Sequence, residues 1–260
     1  MVLIYFLVAL LSTICGSMAG LGGGVIIKPV LDFLGDYNIE TIGVLSACTI
    51  FSMALVSVIK QLSYKSKIDI KNTGLLGIGS VIGGLLGQKL LTFILKIVQG
   101  RIVSLVQSGI LALLLIFVYI YMNNKEKFKS YKIDNFILST IIGIFLGLIA
   151  AFLGIGGGPI NVAFLTIFFS MEAKNAARDS VLIILFSQAS KLLTIAFGTG
   201  FSGYDLSMLP YMIFGGVLGG FIGAKFNRIF SNEIILRVFN TITILIIGLN
   251  IYNFITDRKS

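Results

Sequence analysis

Two stretches of the chain, SMAGLGGGVIIKPVLDFLG (residues 17–35) and GLIAAFLGIGGGPINVAFLTIFF (residues 147–169), set clusters of glycine inside otherwise apolar runs. Glycine costs a helix about 1 kcal/mol per residue relative to alanine, so Gly22, Gly23 and Gly24, and likewise Gly156, Gly157 and Gly158, are expected to interrupt helices. A helix that restarts after such a break offers unpaired N–H groups and roughly half an elementary positive charge, which suits an anion. Pro159 fits the first position of a restarted helix, where its missing N–H costs little. On this reading a side chain placed at Gly22 or Gly156 blocks an anion's approach to the backbone and leaves the fold intact.

Polar side chains inside apolar segments are the other candidates for binding, because lipid makes them costly. Asn161 follows the second cluster by three residues, where its amide either donates to an oxyanion or bonds a neighbouring helix. Ser46, Thr49 and Ser52 recur at spacings of three and share roughly one helix face. Ser187, Gln188 and Ser190 occupy the matching stretch further along. Such hydroxyls either serve a ligand or bond their own helix backbone. Lys28 stands near the start of the helix after the first cluster, where a cation opposes the dipole and calls for an anion or a route to water. Lys191 lies 12 residues from Asp179 and 14 from Asp205, which makes it the stronger candidate for a counter-charge to substrate.

Cys15 and Cys48 lie in apolar segments and read either as small buried hydrophobes or as sulfur-carrying thiols, with no CxxC motif or flanking base to polarise them. The chain has no histidine, which excludes imidazole ligands and His-based catalysis. No catalytic residue, metal site, cofactor or ATP-binding loop is expected, and the chain is read as not an enzyme. Asp32, Asp36, Glu40, Glu172, Asp179 and Asp205 fall near the ends of the apolar segments, so the carboxylate of a proton relay is missing. Moving one negative charge out of a cell that is negative inside is favourable by about 2.3 kcal/mol per 100 mV, and uniport follows as the expectation.

These residues must be positioned by elements that live in a bilayer. The 260 residues are 57% hydrophobic and 12% charged, with a mean hydropathy of +1.01, against about 25% charged in soluble domains. Uncharged runs of spanning length recur, among them 41–59, 72–88, 102–124, 135–171, 206–224 and 238–256. They are continuously apolar rather than alternating, so helices are expected and a barrel is rejected. The net charge of +9 is concentrated in residues 64–72 and 123–135, which read as cytoplasmic loops, without the aromatic pattern of a nucleic-acid surface.

The chain is also a duplication. Gly20-Leu21-Gly22-Gly23-Gly24 matches Gly154-Ile155-Gly156-Gly157-Gly158 at an offset of 134, Phe51-Ser52 matches Phe186-Ser187 at 135, and Gly83, Gly87 and Arg101 match Gly219, Gly223 and Arg237 at 136. This divides the chain into a first membrane repeat (1–122), a basic cytoplasmic linker (123–135) and a second repeat (136–260). The glycine clusters split a first block too long for one crossing, so each repeat opens with a broken helix that crosses twice or with a re-entrant hairpin. Both choices give an odd number of crossings and invert the second copy. With Lys28 and Lys191 set aside, the odd count puts 13 Lys and Arg on the cytoplasmic side and five outside, against 10 and eight for an even count. The expected architecture is an all-α, polytopic membrane protein of two inverted repeats in the cell membrane, with both termini non-cytoplasmic. The remaining glycines, Gly83, Gly84, Gly87, Gly215, Gly216, Gly219, Gly220 and Gly223, are expected to pack helices together.

At MAGLGGGVIIKPVL and GLIAAFLGIGGGPINVAFL the sequence resembles the sulfite exporter TauE/SafE family of membrane transporters. The resemblance covers nearly the whole chain. It implies export of small anions, with sulfite, sulfoacetate and related organosulfur acids as cargoes, and a lipid bilayer and a small anionic substrate as partners. Inverted repeats with matching helix breaks are themselves a transporter signature. Two alternatives stay open: a membrane-embedded sulfur-transfer protein using Cys15 or Cys48, and a passive anion channel. The sequence does not specify the oligomeric state.

A reporter fused after Ser260 tests the topology: activity on the non-cytoplasmic side is expected, and a cytoplasmic signal rules out the odd crossing count.

Overall fold

The computed structural model describes residues 1–64, 70–127 and 130–259. Part of the basic stretch 64–72 (residues 65–69), residues 128 and 129 of the linker, and Ser260 lie outside the described residues. Ten α-helices make up the described fold: α1 (Val2–Ala19), α2 (Gly24–Leu34), α3 (Ile39–Ser63), α4 (Ile70–Ile97), α5 (Gly100–Asn123), α6 (Phe136–Leu153), α7 (Gly158–Phe169), α8 (Ala173–Phe197), α9 (Leu209–Ile229) and α10 (Asn232–Lys259). Eight of them are long and apolar enough to cross a membrane. The exceptions, α2 and α7, have 11 and 12 residues, or about 16–18 Å, well short of a hydrocarbon core of about 30 Å. Helices suit this chain because lipid offers no partner for an open backbone group, so each segment must satisfy its own.

Each short helix is the returning arm of a hairpin. The Tyr5 hydroxyl near the start of α1 donates to Asp36 just beyond α2 at 2.6 Å, so the pair begins and ends on one face. In the second hairpin the Tyr131 and Ile133 N–H groups, just before α6, donate to the Ile167 and Phe168 carbonyls of α7 at 2.7 and 2.9 Å. Ser170 ends α7 with a φ of 52° and its hydroxyl donates to the Tyr131 carbonyl at 3.0 Å. The long-arm, short-arm form decides between the two openings expected from sequence: an unequal hairpin, not a pair of full crossings.

Glycine sets how closely the long helices approach. Gly215, Gly219 and Gly223 lay α9 against the backbone of α1 from Phe6 to Met18, and Gly79, Gly83 and Gly87 lay α4 against α6 from Thr140 to Leu148. Gly216 and Gly220 bring α9 to Thr49 and Met53 of α3, and Gly84 brings α4 to Ser187 of α8. In all of these pairs residue numbers rise together, so the helices run parallel. α5 and α10 run antiparallel, with Asn240 donating to Asn123 at 2.9 Å at one end and Gly109 against Phe254 at the other. α3 and α8 are antiparallel too: Lys191 donates to the Gly43 carbonyl at 3.0 Å, while Ile50 and Ile184 meet at Gly156. Two buried apolar clusters flank this centre, one including Leu115, Ile160, Leu165 and Phe239, the other Ile27, Leu45, Met53 and Met212. Leu113, Phe117, Phe214 and Leu245 point outward, as a lipid-facing surface requires.

The two glycine turns meet back to back in the middle of the bundle. A Cβ on Gly158 would overlap the carbonyl of Leu21 in the first turn, and a Cβ on Gly24 would stand 2.5 Å from the carbonyl oxygen of Ile155 in the second. Ser180 of α8 clamps the contact, its hydroxyl 2.9 Å from the Gly20 carbonyl and 3.4 Å from that of Gly158. Alanine at Gly24, Gly158 or Gly83 is therefore expected to cost about 1–3 kcal/mol through forced displacement of a neighbouring backbone. Gly74→Ala, at a helical position with nothing within 4 Å, is expected to be neutral or to gain up to about 1 kcal/mol. Unfolding temperatures of the purified variants in detergent check this, and a Gly158→Ala protein as stable as Gly74→Ala would mean that the turns do not interlock.

Candidate functional site

The interlocked turns leave one side open. Gly154 and Gly156 of the second turn face no backbone: the atoms nearest to a Cβ on Gly154 are those of Lys28 and Lys191 at 3.8–3.9 Å, and nearest to one on Gly156 is the Gln188 amide nitrogen at 3.5 Å. Lys28 comes from α2 and Lys191 from α8, and they are 4% and 2% exposed. Both ammonium groups lie 3.9 Å from the same point, so they are no more than about 8 Å apart. Two like charges at that distance repel by about 2 kcal/mol at an effective dielectric constant of 20.

What holds these cations is neutral. The Lys28 ammonium donates to the Gln107 side-chain carbonyl of α5 and to the Leu153 carbonyl at 2.9 Å, while the Gln107 amide donates to the Phe152 carbonyl. Lys191 donates to the Gly43 carbonyl. Among the described residues the ion pair is Arg178–Asp179, and no carboxylate stands within 4 Å of either lysine nitrogen. Asp32 is one turn further along α2 from Lys28. An ammonium has three donors, so one N–H of Lys28 and two of Lys191 have no described acceptor.

A cavity of about 360 Å³ reaches Lys191 from one face of the bundle. It is lined by the first turns of α3 (Ile39, Glu40, Gly43), the ends of α4 (Gln88, Lys89, Lys96) and α8 (Thr194, Gly198), and Tyr204. This is the face where α1 begins. On the opposite face basic side chains tie helix ends together: Lys174 donates to the Arg228 and Phe230 carbonyls at 3.0 and 2.7 Å, Asn227 donates to the Met18 carbonyl at 2.8 Å, and Arg228 stacks 4.4 Å from the Tyr64 ring.

The residues singled out from sequence divide accordingly. Lys28, Lys191, Gln188 and the turn Gly156–Gly158 come together, and Asn161 brings its side-chain oxygen beside Gly157, buried and without a hydrogen-bond partner. The hydroxyl of Ser46, one turn along α3 from Gly43, is also buried and unpartnered. Thr49 and Ser52 instead bond the carbonyls of Leu45 and Cys48 in their own helix, at 2.7 and 2.9 Å, and Thr49 packs on Gly216 of α9. Ser187 accepts from the Gln188 amide at 3.3 Å. Gly22 and Gly23 form the first turn, and Gly24 and Gly158 are taken up by turn-to-turn packing, whereas the buried Gly154 and Gly156 stand next to side chains and not backbone.

Two expectations need correction. Gly22 and Gly156 have φ of 78° and 79°, which L side chains rarely adopt, so a side chain there disturbs the turn before it meets any ligand. Asp179, counted among the residues near segment ends, is 1% exposed and accepts from Thr73 of α4 at 3.0 Å, so a buried carboxylate does stand within a membrane helix. Gln107 was missed, although an amide in the uncharged run 102–124 carries the signal that drew attention to Ser46. Cys15 and Cys48 are free, half-buried thiols.

The family model described as sulfite exporter TauE/SafE matches residues 5–251. Two proteins of Bacillus subtilis (strain 168) are similar over nearly their full lengths: "Probable membrane transporter protein YunE" is 26% identical over 94% of this chain and 94% of its own, and "Probable membrane transporter protein YdhB" is 24% identical over 90% and 93%. No solved structure matches. With helices of membrane-spanning length, paired glycine turns and a family match over almost the entire sequence, the chain belongs to the sulfite exporter TauE/SafE family of membrane transporters.

Proposed function

We propose that this protein is a secondary transporter that exports small anions, sulfite, sulfoacetate or related organosulfur acids, from the cytoplasm across the cell membrane. The observation that carries this reading is the cavity that ends on Lys191 beside the second glycine turn, a buried cation with donors to spare at the meeting point of the two halves. Burying a cation without a counter-ion is costly, and an anion arriving by the cavity would relieve that cost. The substrate sits between Lys191 and the face of Gly154 and Gly156.

The antiparallel pairs α3 with α8 and α5 with α10 support a reading of the halves as inverted repeats, because each pair joins matching helices of the two copies. With these basic side chains on the face opposite the cavity, the positive-inside rule favours that face as cytoplasmic and both termini as outside. On this reading the cavity opens outward, and the alternate state opens a path through the basic face.

Flux of radiolabelled sulfite into liposomes holding the purified protein tests this. Saturable flux is expected, with Lys191→Gln raising KM at least tenfold, Lys191→Arg raising it less, and replacement of both cysteines by serine leaving it unchanged. Flux that stays linear with concentration would favour a channel, and loss of flux in the cysteine variant would favour sulfur transfer.

A further inference from the structure

Resting on the anion-carrier reading, we propose that Lys28 and Lys191 together form one site for a doubly charged anion, so that the protein selects dianions over monoanions of the same size. The two cations come from different repeats and converge on the same face of Gly154, each 3.9 Å from the position of its missing Cβ. A Cβ there would sit in ordinary van der Waals contact with the two lysine side chains, in contrast to Gly24 and Gly158, where it would meet backbone. Both lysines are almost wholly buried, and the acceptors that hold them are neutral. One negative charge between two ammonium groups leaves a buried cation unpaired, whereas two negative charges balance both.

Two neutral groups stand in the same region: the Ser46 hydroxyl, one turn along α3 from the Gly43 carbonyl that Lys191 bonds, is buried with no partner, and the Gln188 amide nitrogen, which donates to Ser187, lies 3.5 Å from the Cβ position of Gly156. Gln107 has both ends of its amide engaged, by Lys28 and by the Phe152 carbonyl, and so acts as a positioning residue for the ammonium. Asp32, one turn beyond Lys28 on α2, acts on it through space and is not among the acceptors of its ammonium, which are the Gln107 and Leu153 carbonyls. The cavity is lined by Lys191 together with Glu40, Lys89 and Lys96, so an anion that enters it passes charged side chains before it reaches the paired lysines.

Sulfoacetate and its amide, sulfoacetamide, differ by one charge at nearly constant shape. Binding of each to the purified full chain, measured by titrated thermal shift at about pH 7 and repeated as competition against labelled sulfite in liposomes, tests the proposal. Sulfoacetate is expected to bind at least tenfold more tightly than sulfoacetamide. Lys28→Gln is expected to weaken sulfoacetate tenfold or more and sulfoacetamide less than twofold, collapsing the preference, while Lys28→Arg keeps it. Equal binding of the two probes by the unaltered protein, or equal losses in Lys28→Gln, would overturn the dianion site and leave the anion carrier standing. Failure of both probes to bind, with no sulfite flux, would overturn the carrier reading as well.

Discussion

The backbone contact between the two glycine turns is the constraint on which the rest depends. Gly24 meets Ile155 and Gly158 meets Leu21, residues matched at one offset of 134, so each turn seats the other in the same way. In lipid no hydrophobic force drives helices together, and close backbone approach with many small contacts has to replace it. Once the turns interlock, α2 and α7 need not span the membrane. The helices around them, α3 and α8 above all, line the space that remains, and Ser180 ties α8 to both turns.

That contact also sorts the glycines by role. At Gly24 and Gly158, the helix starts, the absent side chain makes room for another backbone, and these positions are closed to a ligand. At Gly154 the absent side chain leaves a position that the two lysine side chains approach, and at Gly156 one that Gln188, Ile50 and Ile184 approach. Positive charge reaches this space on long side chains from α2 and α8. Lys28 opposes the dipole of its own helix, a placement that an anion on the far side of the ammonium would offset.

Much of this architecture is legible in the sequence because it depends on local, periodic signals. The spans follow from runs of apolar residues, the turns from doubled glycine clusters, and the packing role of Gly83 or Gly219 from small residues recurring along one helix face. The site is less legible because tertiary contact decides it. Ser46, Thr49 and Ser52 look equivalent by spacing, yet Thr49 packs on α9 and only Ser46 is left without a partner. Nothing in the sequence says that Lys28 and Lys191, 163 residues apart, converge on Gly154. Gln107 is visible as a polar residue in an apolar run, but its place between Lys28 and Phe152 depends on how α5 packs.

The duplication stops short of the chemistry. At the repeat offsets, Lys28 corresponds to Val162, Lys191 to Val56, Gln188 to Met53 and Gln107 to Thr243. The interlocked turns make reciprocal contacts and the polar side chains do not repeat, so the two lysines meet at the second turn and not at the first. A symmetric scaffold has a physical use in a carrier, since two related packings of the same hairpins differ little in energy and exchange readily. An asymmetric site has another. Because the lysines gather at the second turn alone, an anion bound there as proposed would contact the two hairpins unequally, and its charge would favour one packing over the other. Differential contact of that kind is what a ligand needs in order to shift a conformational equilibrium.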